Sequence, residues 1–220
     1  MRTDAARAAA RNGVGTGAEG LAGLLAEVPR ADGLDTRILN AALAQFETYG
    51  LRRVGMEDVA RRAGVARTTI YRRFAGKDQL VQAVILRECR RFLAAIAEAI
   101  EDLSTPEDAL VEGFVVGLRN ARRHPLLSRV LVSEPEAFLP QLGMNGGAMM
   151  LAARDLIAER LRRSCPDAGE DFTAPAEILV RVALSLLLVP GGGLALDDDE
   201  SVRGFARDHL TRVLRPSTGS

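Results

Sequence analysis

The sequence predicts an all-α fold, and two observations carry that prediction. Aromatic residues make up only 4% of the 220 residues and Trp is absent, so a core must be built from Leu, Ala and Val, which favours helices. Apolar residues recur at helical spacing along most of the chain, and no segment shows the two-residue alternation of a strand. The helices fall into a small N-terminal part and a larger part joined to it by one long helix.

Each predicted helix is marked by its apolar spacing and by residues that start or stop it. Asp35 is placed as the N-cap of the first helix, and Pro106 with the acids after it suits the first turn of a later one. The predicted helices cover approximately residues 36–49, 56–63, 66–73, 77–102, 106–124, 126–132, 145–163, 175–189 and 197–214. The predicted domains are a mostly disordered extension (1–34), a helix-turn-helix domain (35–80) and a larger helical domain (81–215).

Residues 56–77 carry the strongest functional signal. They form two short helical patterns joined at Gly64, where a tight turn requires a positive φ. The outward face of the second helix carries basic and hydroxyl side chains: Arg67, Thr68, Thr69, Tyr71, Arg72 and Arg73. Such groups suit phosphates and the base edges of a major groove. The pattern is therefore that of a helix-turn-helix that binds DNA.

The charge distribution agrees with that interpretation, although the net charge is zero. Residues 35–91 contain 12 basic and 6 acidic residues, whereas residues 92–220 contain 13 basic and 19 acidic residues. A basic module joined to an acidic one fits a DNA-binding domain attached to a domain that does not touch DNA.

Residues 36–85 resemble the N-terminal domain of the TetR-type transcriptional regulators. The resemblance rests on Phe-Glu-Thr-Tyr-Gly at the end of the first helix, Gly-Val-x-x-x-Thr-Ile-Tyr-x-x-Phe across the turn and second short helix, and the lysine that opens the long helix. It implies that Thr68, Thr69, Tyr71 and Arg72 face bases or phosphates and that Arg67 and Arg73 flank them. It also implies that Lys77 binds a phosphate. The chain departs from the family at Gly55 and Met56, where the family usually has a Thr or Ser cap.

The resemblance further implies a homodimer and a ligand site in the larger domain. The helix near residues 175–189 is apolar on most sides, which fits either a core helix or a dimer interface; the interface residues are predicted to be Ile178, Val182, Leu186 and Val189. Apolar and Met-rich segments crowd the middle of the domain and suit an adaptable pocket, although an ordinary core fits them equally. The predicted ligand-binding residues are Phe114, Leu118, Arg122, Leu126, Phe138, Met144, Met149 and Met150.

The sequence contains no catalytic, cofactor-binding or metal-binding motif. Its two histidines, His124 and His209, have no evident partner, and the acids at 197–200 are interpreted as the start of a helix. Cys89 and Cys165 form no C-x-x-C motif, so neither a zinc site nor a disulfide framework is indicated. No apolar stretch is long enough to span a membrane, and the chain is expected to be cytoplasmic.

These observations predict a ligand-responsive, sequence-specific DNA-binding regulator. It is expected to be a homodimeric repressor, released from a palindromic double-stranded DNA operator by a small apolar or amphiphilic effector, without a cofactor. One alternative is an architectural DNA-binding protein that has no effector. Another is an enzyme or carrier that uses the helical domain, which the missing catalytic groups disfavour.

Overall fold

The computed structural model describes residues 33–133, 146–164, 171–189 and 191–214, and all regular structure in these ranges is helical. The predicted extension 1–34 therefore lies almost wholly outside the described residues. The helices are α1 (Gly33–Tyr49), α2 (Met56–Ala63), α3 (Arg67–Arg73), α4 (Lys77–Ala99), α5 (Pro106–Arg123), α6 (Pro125–Ser133), α7 (Gly146–Ser164), α8 (Thr173–Leu188) and α9 (Asp199–Phe205). The all-α prediction is confirmed.

The head, which we define as α1–α3 with residues 77–84 of α4, packs around one apolar core. Its largest fully buried side chains are Ile38, Phe46, Ile70 and Leu80, each no more than 1% exposed. Burial of this kind stabilises a small helical unit mainly through the hydrophobic effect. The three short helices are thereby held in fixed positions relative to the start of α4.

The turn between α2 and α3 has the geometry that its sequence predicts. Gly64 adopts φ 63° and ψ 41°, the left-handed conformation that glycine accepts without a steric penalty. The Nη2 of Arg37 donates a hydrogen bond to the carbonyl of Ala63 at 2.8 Å, which satisfies one of the last carbonyls of α2. α1 is thereby tied to the end of α2.

The prediction that Asp35 caps α1 is wrong, because the helix already begins at Gly33. Asp35 lies inside the first turn, and its carboxylate is 3.3 Å from the Nη1 of Arg73 at the end of α3. A carboxylate in the first turn and one at the N-cap are both favoured by the helix dipole. The sequence pattern alone therefore did not separate the two positions.

α4 joins the head to the rest of the protein. It has 23 residues and ends at Ala99, three residues earlier than predicted, where Ile100 forms the C-cap. A helix of this length extends about 35 Å at 1.5 Å per residue. Its first turns are buried in the head core, and its later turns pack against α5.

The body, which we define as α5–α9 with the remainder of α4, is built mainly from the long helices α5, α7 and α8. The hydroxyl of Thr105 accepts a hydrogen bond from the amide of Asp108 at 3.1 Å and so caps α5. α9 begins in the same way, because the carboxylate of Asp198 accepts from the amide of Ser201 at 2.8 Å. The acids at 197–200 thus stand at the start of a helix, as interpreted from the sequence. Beyond α9 the chain continues through a π-helical turn (Ala206–Leu210) and a 3-10 turn (Thr211–Leu214).

Two apolar clusters stabilise the body. The larger joins α5 to α8 and to the C-terminal helical segment, with Val115 and Leu118 among its most buried members. The smaller joins α7 to α8 around Leu161, Phe172 and Ala176. Within the described ranges, no helix is both long enough and apolar enough to span a bilayer.

Candidate DNA-binding surface and ligand cavity

α3 presents a polar surface because only one of its faces is buried. Ile70 is fully buried in the head core, and this contact fixes the rotation of the helix about its axis. Thr69 is half-buried, and the side chains of Arg67, Thr68, Tyr71, Arg72 and Arg73 are exposed. The structure therefore brings together on one surface the residues that the sequence predicts to contact DNA.

Arg67 is held by two neighbours on this surface. Its Nη1 lies 2.5 Å from a carboxylate oxygen of Glu57 on α2, and its guanidinium lies 5.5 Å from the centre of the Tyr71 ring. Sequence reasoning missed Glu57, because a helix as short as α2 gives little indication of which of its exposed residues faces α3. The contact matters because Glu57 competes for a cation that would otherwise be available to a phosphate.

The cations at the two ends of this surface also have intramolecular partners. Arg73 pairs with Asp35, as described above. The Nζ of Lys77 donates a hydrogen bond to the carbonyl of Arg52 at 2.9 Å, which ties the start of α4 to the turn after α1. An ammonium at a helix N-terminus opposes the helix dipole, so an acceptor close by stabilises it there. Besides carrying positive charge, Lys77 therefore holds the start of α4 to the turn after α1, and Arg73 holds the end of α3 to the first turn of α1.

The start of α2 is capped without a hydroxyl side chain. The amide of Gly55 donates to the Oδ2 of Asp58 at 3.0 Å, and the Oδ1 of Asp58 accepts from Arg61 at 2.6 Å. These two bonds lower the pKa of Asp58, the backbone bond more than the one from Arg61. Asp58 thus supplies the half of a capping box in which the third helical residue accepts from the N-cap amide, while Gly55 has no side chain to cap the first turn.

The body contains an apolar cavity of about 280 Å³. α4 and α5 form one side, and α6, α7 and α8 contribute to the remainder. The predicted residues Phe114, Leu118, Leu126 and Met150 all line it. The sequence analysis assigned no ligand-binding residue to α4. This helix nevertheless contributes Ile85, Glu88, Cys89, Phe92, Leu93, Ile96 and, just past the helix end, Ile100 to the wall.

The remaining predicted ligand residues do not line this cavity or are not described. The Nη1 of Arg122 donates to the carbonyl of Leu196 at 2.6 Å, and the side chain lies outside the cavity. Arg122 follows the wall residue Ala121 by one position, so it points about 100° away around α5. Phe138 and Met144, together with the side chain of Met149, lie outside what the structure describes.

The ionisable groups in the wall lie near the two ends of the cavity. At the end next to the head, one Glu88 oxygen is 2.9 Å from Arg87 and 3.2 Å from Arg91, and the other is 3.7 Å from the Nε2 of His124. At the other end, Arg160 donates to the carbonyls of Ile100 and Glu101 at 2.5 and 2.8 Å. His124 therefore has the partner that the sequence did not reveal, since Glu88 precedes it by 36 positions.

Burial raises the pKa of the Cys89 thiol to about 11, and the negative charge of Glu88 adds to the effect. A thiol in this environment stays protonated at neutral pH and is a poor nucleophile. Cys89 therefore acts as an apolar wall residue of the cavity.

α6 contacts both the head and the cavity. Leu126 and Val130 are buried in the same apolar core as α1 and the start of α4, and both also line the cavity. In addition, Arg87 on α4 donates to the Oδ1 of Asn40 at 2.9 Å and to the carbonyl of Leu39 at 3.2 Å, both on α1. The wall of the cavity and the core of the head thus share side chains.

The face of α8 predicted to form a dimer interface is partly exposed. Ile178 is 45% exposed and Val189, just past the helix end, is 70% exposed, whereas Val182 and Leu186 are half-buried and pack against the larger body cluster. Leu156, Leu188 and Leu194 are further large apolar side chains left exposed, which the sequence did not single out. The role of Ile178, Val182, Leu186 and Val189 in a dimer stays a prediction.

Two family models match the chain. The model described as "Bacterial regulatory proteins, tetR family" matches residues 38–84, and "Bacterial Tetracyclin repressor, C-terminal domain" matches residues 106–207. The first contains α2, α3 and most of α1, and the second runs from the start of α5 to the π-helical turn after α9.

Individual proteins agree with these matches. An uncharacterised HTH-type transcriptional regulator of Mycobacterium tuberculosis, Rv1255c, is 29% identical over 186 residues, which covers 84% of this chain and 87% of that protein. The crystal structure of the TetR family repressor AlkX from Dietzia, implicated in biodegradation of n-alkanes, has a TM-score of 0.61 at 23% identity and covers 81% of this chain and 95% of AlkX. A complex of triclosan with SmeT, the repressor of a multidrug efflux pump of Stenotrophomonas maltophilia, has a TM-score of 0.57 at 24% identity, covering 83% and 95%. At such identities the two structures show a shared fold.

Proposed function

The chain belongs to the TetR family of bacterial transcriptional regulators, and from that premise we propose that it is a repressor released from its operator by a small apolar molecule. The observation that carries the proposal is the apolar cavity whose wall includes α4 and α6, the two helices that also enter the core of the head. A ligand can change DNA affinity only if it prefers one arrangement of the head over another. A wall shared with the head supplies a physical reason for such a preference.

In this proposal α3 of each subunit enters a major groove. Tyr71 and Arg72 are exposed on α3, and their hydroxyl and guanidinium suit a phosphate and a base edge. A dimer would place two such helices in successive grooves, about 34–36 Å apart or at a multiple of that distance. A filled cavity would shift α4 and α6 and change that spacing.

The DNA-binding part is tested with an operator selected from random duplexes by the wild-type protein. We expect Arg72→Ala to lower operator affinity roughly 5- to 150-fold, which corresponds to the ~1–3 kcal/mol of a good base contact. Tyr71→Ala should lower it by a smaller factor, because it removes a phosphate contact. Arg123→Ala, an exposed arginine on α5, serves as the control and should bind like wild type. Unchanged affinity for both α3 variants would refute the assigned surface. A selection that returns no consensus sequence would favour an architectural DNA-binding protein instead.

Replacing Glu57 should raise operator affinity, whereas the α3 variants should lower it. Glu57→Gln removes a negative charge beside the proposed groove and releases Arg67 from its 2.5 Å contact. We expect affinity to rise a fewfold and the slope of log K against log salt to steepen by about one, the value for one added phosphate contact. The salt titration should show no change if Arg67 faces away from DNA.

The dimer is tested on the exposed face of α8. Ile178 is 45% exposed in one chain, so Ile178→Glu should leave a folded chain but place an unpaired charge in the proposed interface. We expect light scattering to show a dimer for wild type and for Ala97→Glu, which alters an exposed position of α4, and a monomer for Ile178→Glu. A wild-type monomer at micromolar concentration would contradict the interface.

A further inference from the structure

We propose that the cavity is a channel for a single unbranched aliphatic chain that lies parallel to α4. This inference rests on the proposed function, because it takes the cavity to be the effector site, and it adds the chemical class of the effector. Its basis is the length, width and charge of the cavity.

The walls of the cavity are long. Its lining extends on the α4 side from Ile85 to Ile100 and on α5 from Ala109 to Ala121. These spans correspond to about 22 Å and about 18 Å of helix at 1.5 Å per residue. Met150 to Leu161 on α7 covers a similar length. A site lined over about three to four turns by three helices is elongated along them.

The cavity is also narrow. Its volume of about 280 Å³ is spread over the length of these helices, so the cavity is much longer than it is wide. A cavity of this shape accommodates an extended methylene chain better than a compact fused ring system. Apart from the ionisable groups near its ends, its wall consists of apolar side chains and two glycines.

Two glycines bring the α5 wall of the channel close to the α4 wall. Gly113 and Gly117 lie one turn apart on α5, where glycine is destabilising relative to alanine. A Cβ at Gly117 would stand 3.3 Å from the Cδ1 of Ile96, and one at Gly113 would stand 3.5 Å from the Cγ2 of Ile100. A larger side chain at either position would displace these wall residues and narrow the channel.

The charges near the channel select among polar end groups. Glu88 is an acidic wall residue, but Arg87 and Arg91 already pair with it, and Arg160 lies at the opposite end. The guanidinium of Arg160 is therefore the charge that an end group would meet at that end of the channel. It attracts a carboxylate, accepts a hydroxyl as a hydrogen-bond partner and repels an ammonium.

The experiment measures binding of straight-chain acids and alcohols, from hexyl to octadecyl, to the full-length protein by calorimetry. We expect affinity to rise about threefold to fourfold for each added methylene that the channel buries, and to stop rising when the channel is full. Straight-chain amines of equal length and a rigid tricyclic hydrocarbon should bind at least tenfold more weakly. Affinity independent of length, or tricyclic binding as tight as the best chain, would overturn the proposal.

A plug variant tests the position of the chain. Gly117→Leu should leave the affinity for short chains unchanged and abolish the gain from the longer ones, and Gly113→Leu should impose a different length limit. Ala94→Leu adds the same side chain to the exposed face of α4 and should keep the wild-type length profile. Gly117→Ala provides a smaller obstruction if the leucine variant does not fold. Equal weakening of short and long chains by the plug would contradict a chain that passes Gly117.

The same ligands separate this inference from the proposed function. If aliphatic chains bind with the expected length limit but leave operator affinity unchanged, the channel proposal is supported and the proposal that the cavity is the effector site is contradicted. If another molecule releases the operator while no chain binds, the proposed function stands and the channel is refuted.

Discussion

The two ends of α4 lie in opposite environments. Leu80, Val81 and Val84 are 1%, 9% and 1% exposed and pack into the head core from all sides. One turn later, Cys89, Leu93 and their neighbours on the same stripe line an open cavity. The helix is thus fixed at the head and has free space beside it in the body. Because close-packed cores resist deformation, the proposed function requires that a ligand in the free space would move the helix about its packed end.

The largest expected effect is a difference in stability between variants at the two ends of α4. Leu80→Ala should lower the free energy of unfolding by about 2–5 kcal/mol, since it creates a new void in a closed core. Leu93→Ala should cost roughly 1 kcal/mol or less, because one side of Leu93 already borders empty space and loses few contacts there. Urea denaturation of the two variants, with unchanged m-values, measures the difference. Equal losses would show that the body end of α4 is as tightly packed as the head end.

The next prediction concerns the body end alone. With the Cys89 pKa raised to about 11, roughly a hundredfold less thiolate should be present near neutral pH than for a thiol with an ordinary pKa near 9. Alkylation by iodoacetamide should be slow by about that factor and should rise tenfold per pH unit between pH 7 and 9. Cys165→Ser leaves Cys89 as the only thiol to be measured.

A molecule bound in the cavity should slow the reaction of Cys89 further. Alkylation as fast as that of free cysteine, with a rate that begins to level off near pH 9, would show that the thiol is exposed to solvent. The wall of the cavity would then be more open than the structure has it.

The sequence predicted the head more completely than the body, and Gly64 and Leu93 show why. A turn that needs one residue in the αL conformation has a specific chemical requirement, so Gly64 alone located the junction of α2 and α3. Leu93, in contrast, fits any buried face of a helix. Apolar residues recur with the same helical period whether the face they form packs into a closed core or lines a cavity. The existence of a cavity depends on how α4, α5, α7 and α8 approach one another, which no local pattern encodes.

Charged residues were predictable in position but not in partner. Exposure of Arg67 followed from the helical phase of α3, whereas its contact with Glu57 depends on the angle between two short helices. Arg122 failed to reach the cavity for a related reason, since one step along α5 rotates a side chain by about 100°. Glu88 and His124 pair across helices 36 positions apart, a separation at which sequence periodicity gives no information.

The smallest expected effect compares the caps of the two regions. Asp58 in the head and Asp198 in the body each accept a backbone hydrogen bond at a helix N-terminus, and in both cases that bond is the first cause of a lowered pKa. A carboxyl whose pKa is lower in the folded state contributes stability above its unfolded pKa and loses it as pH falls through the folded value. Asp58→Asn and Asp198→Asn should therefore each lower the melting temperature slightly at pH 7, and the difference from wild type should vanish well below the usual aspartate pKa of 3.8.

Amide hydrogen exchange at pH 7 tests whether the head and the body unfold separately. Asp58→Asn should speed exchange in α2 but not in α9, and Asp198→Asn should speed it in α9 but not in α2. If either change speeds exchange equally in both helices, the head and body open as one unit, and α4 does not connect a rigid region to an independently deformable one.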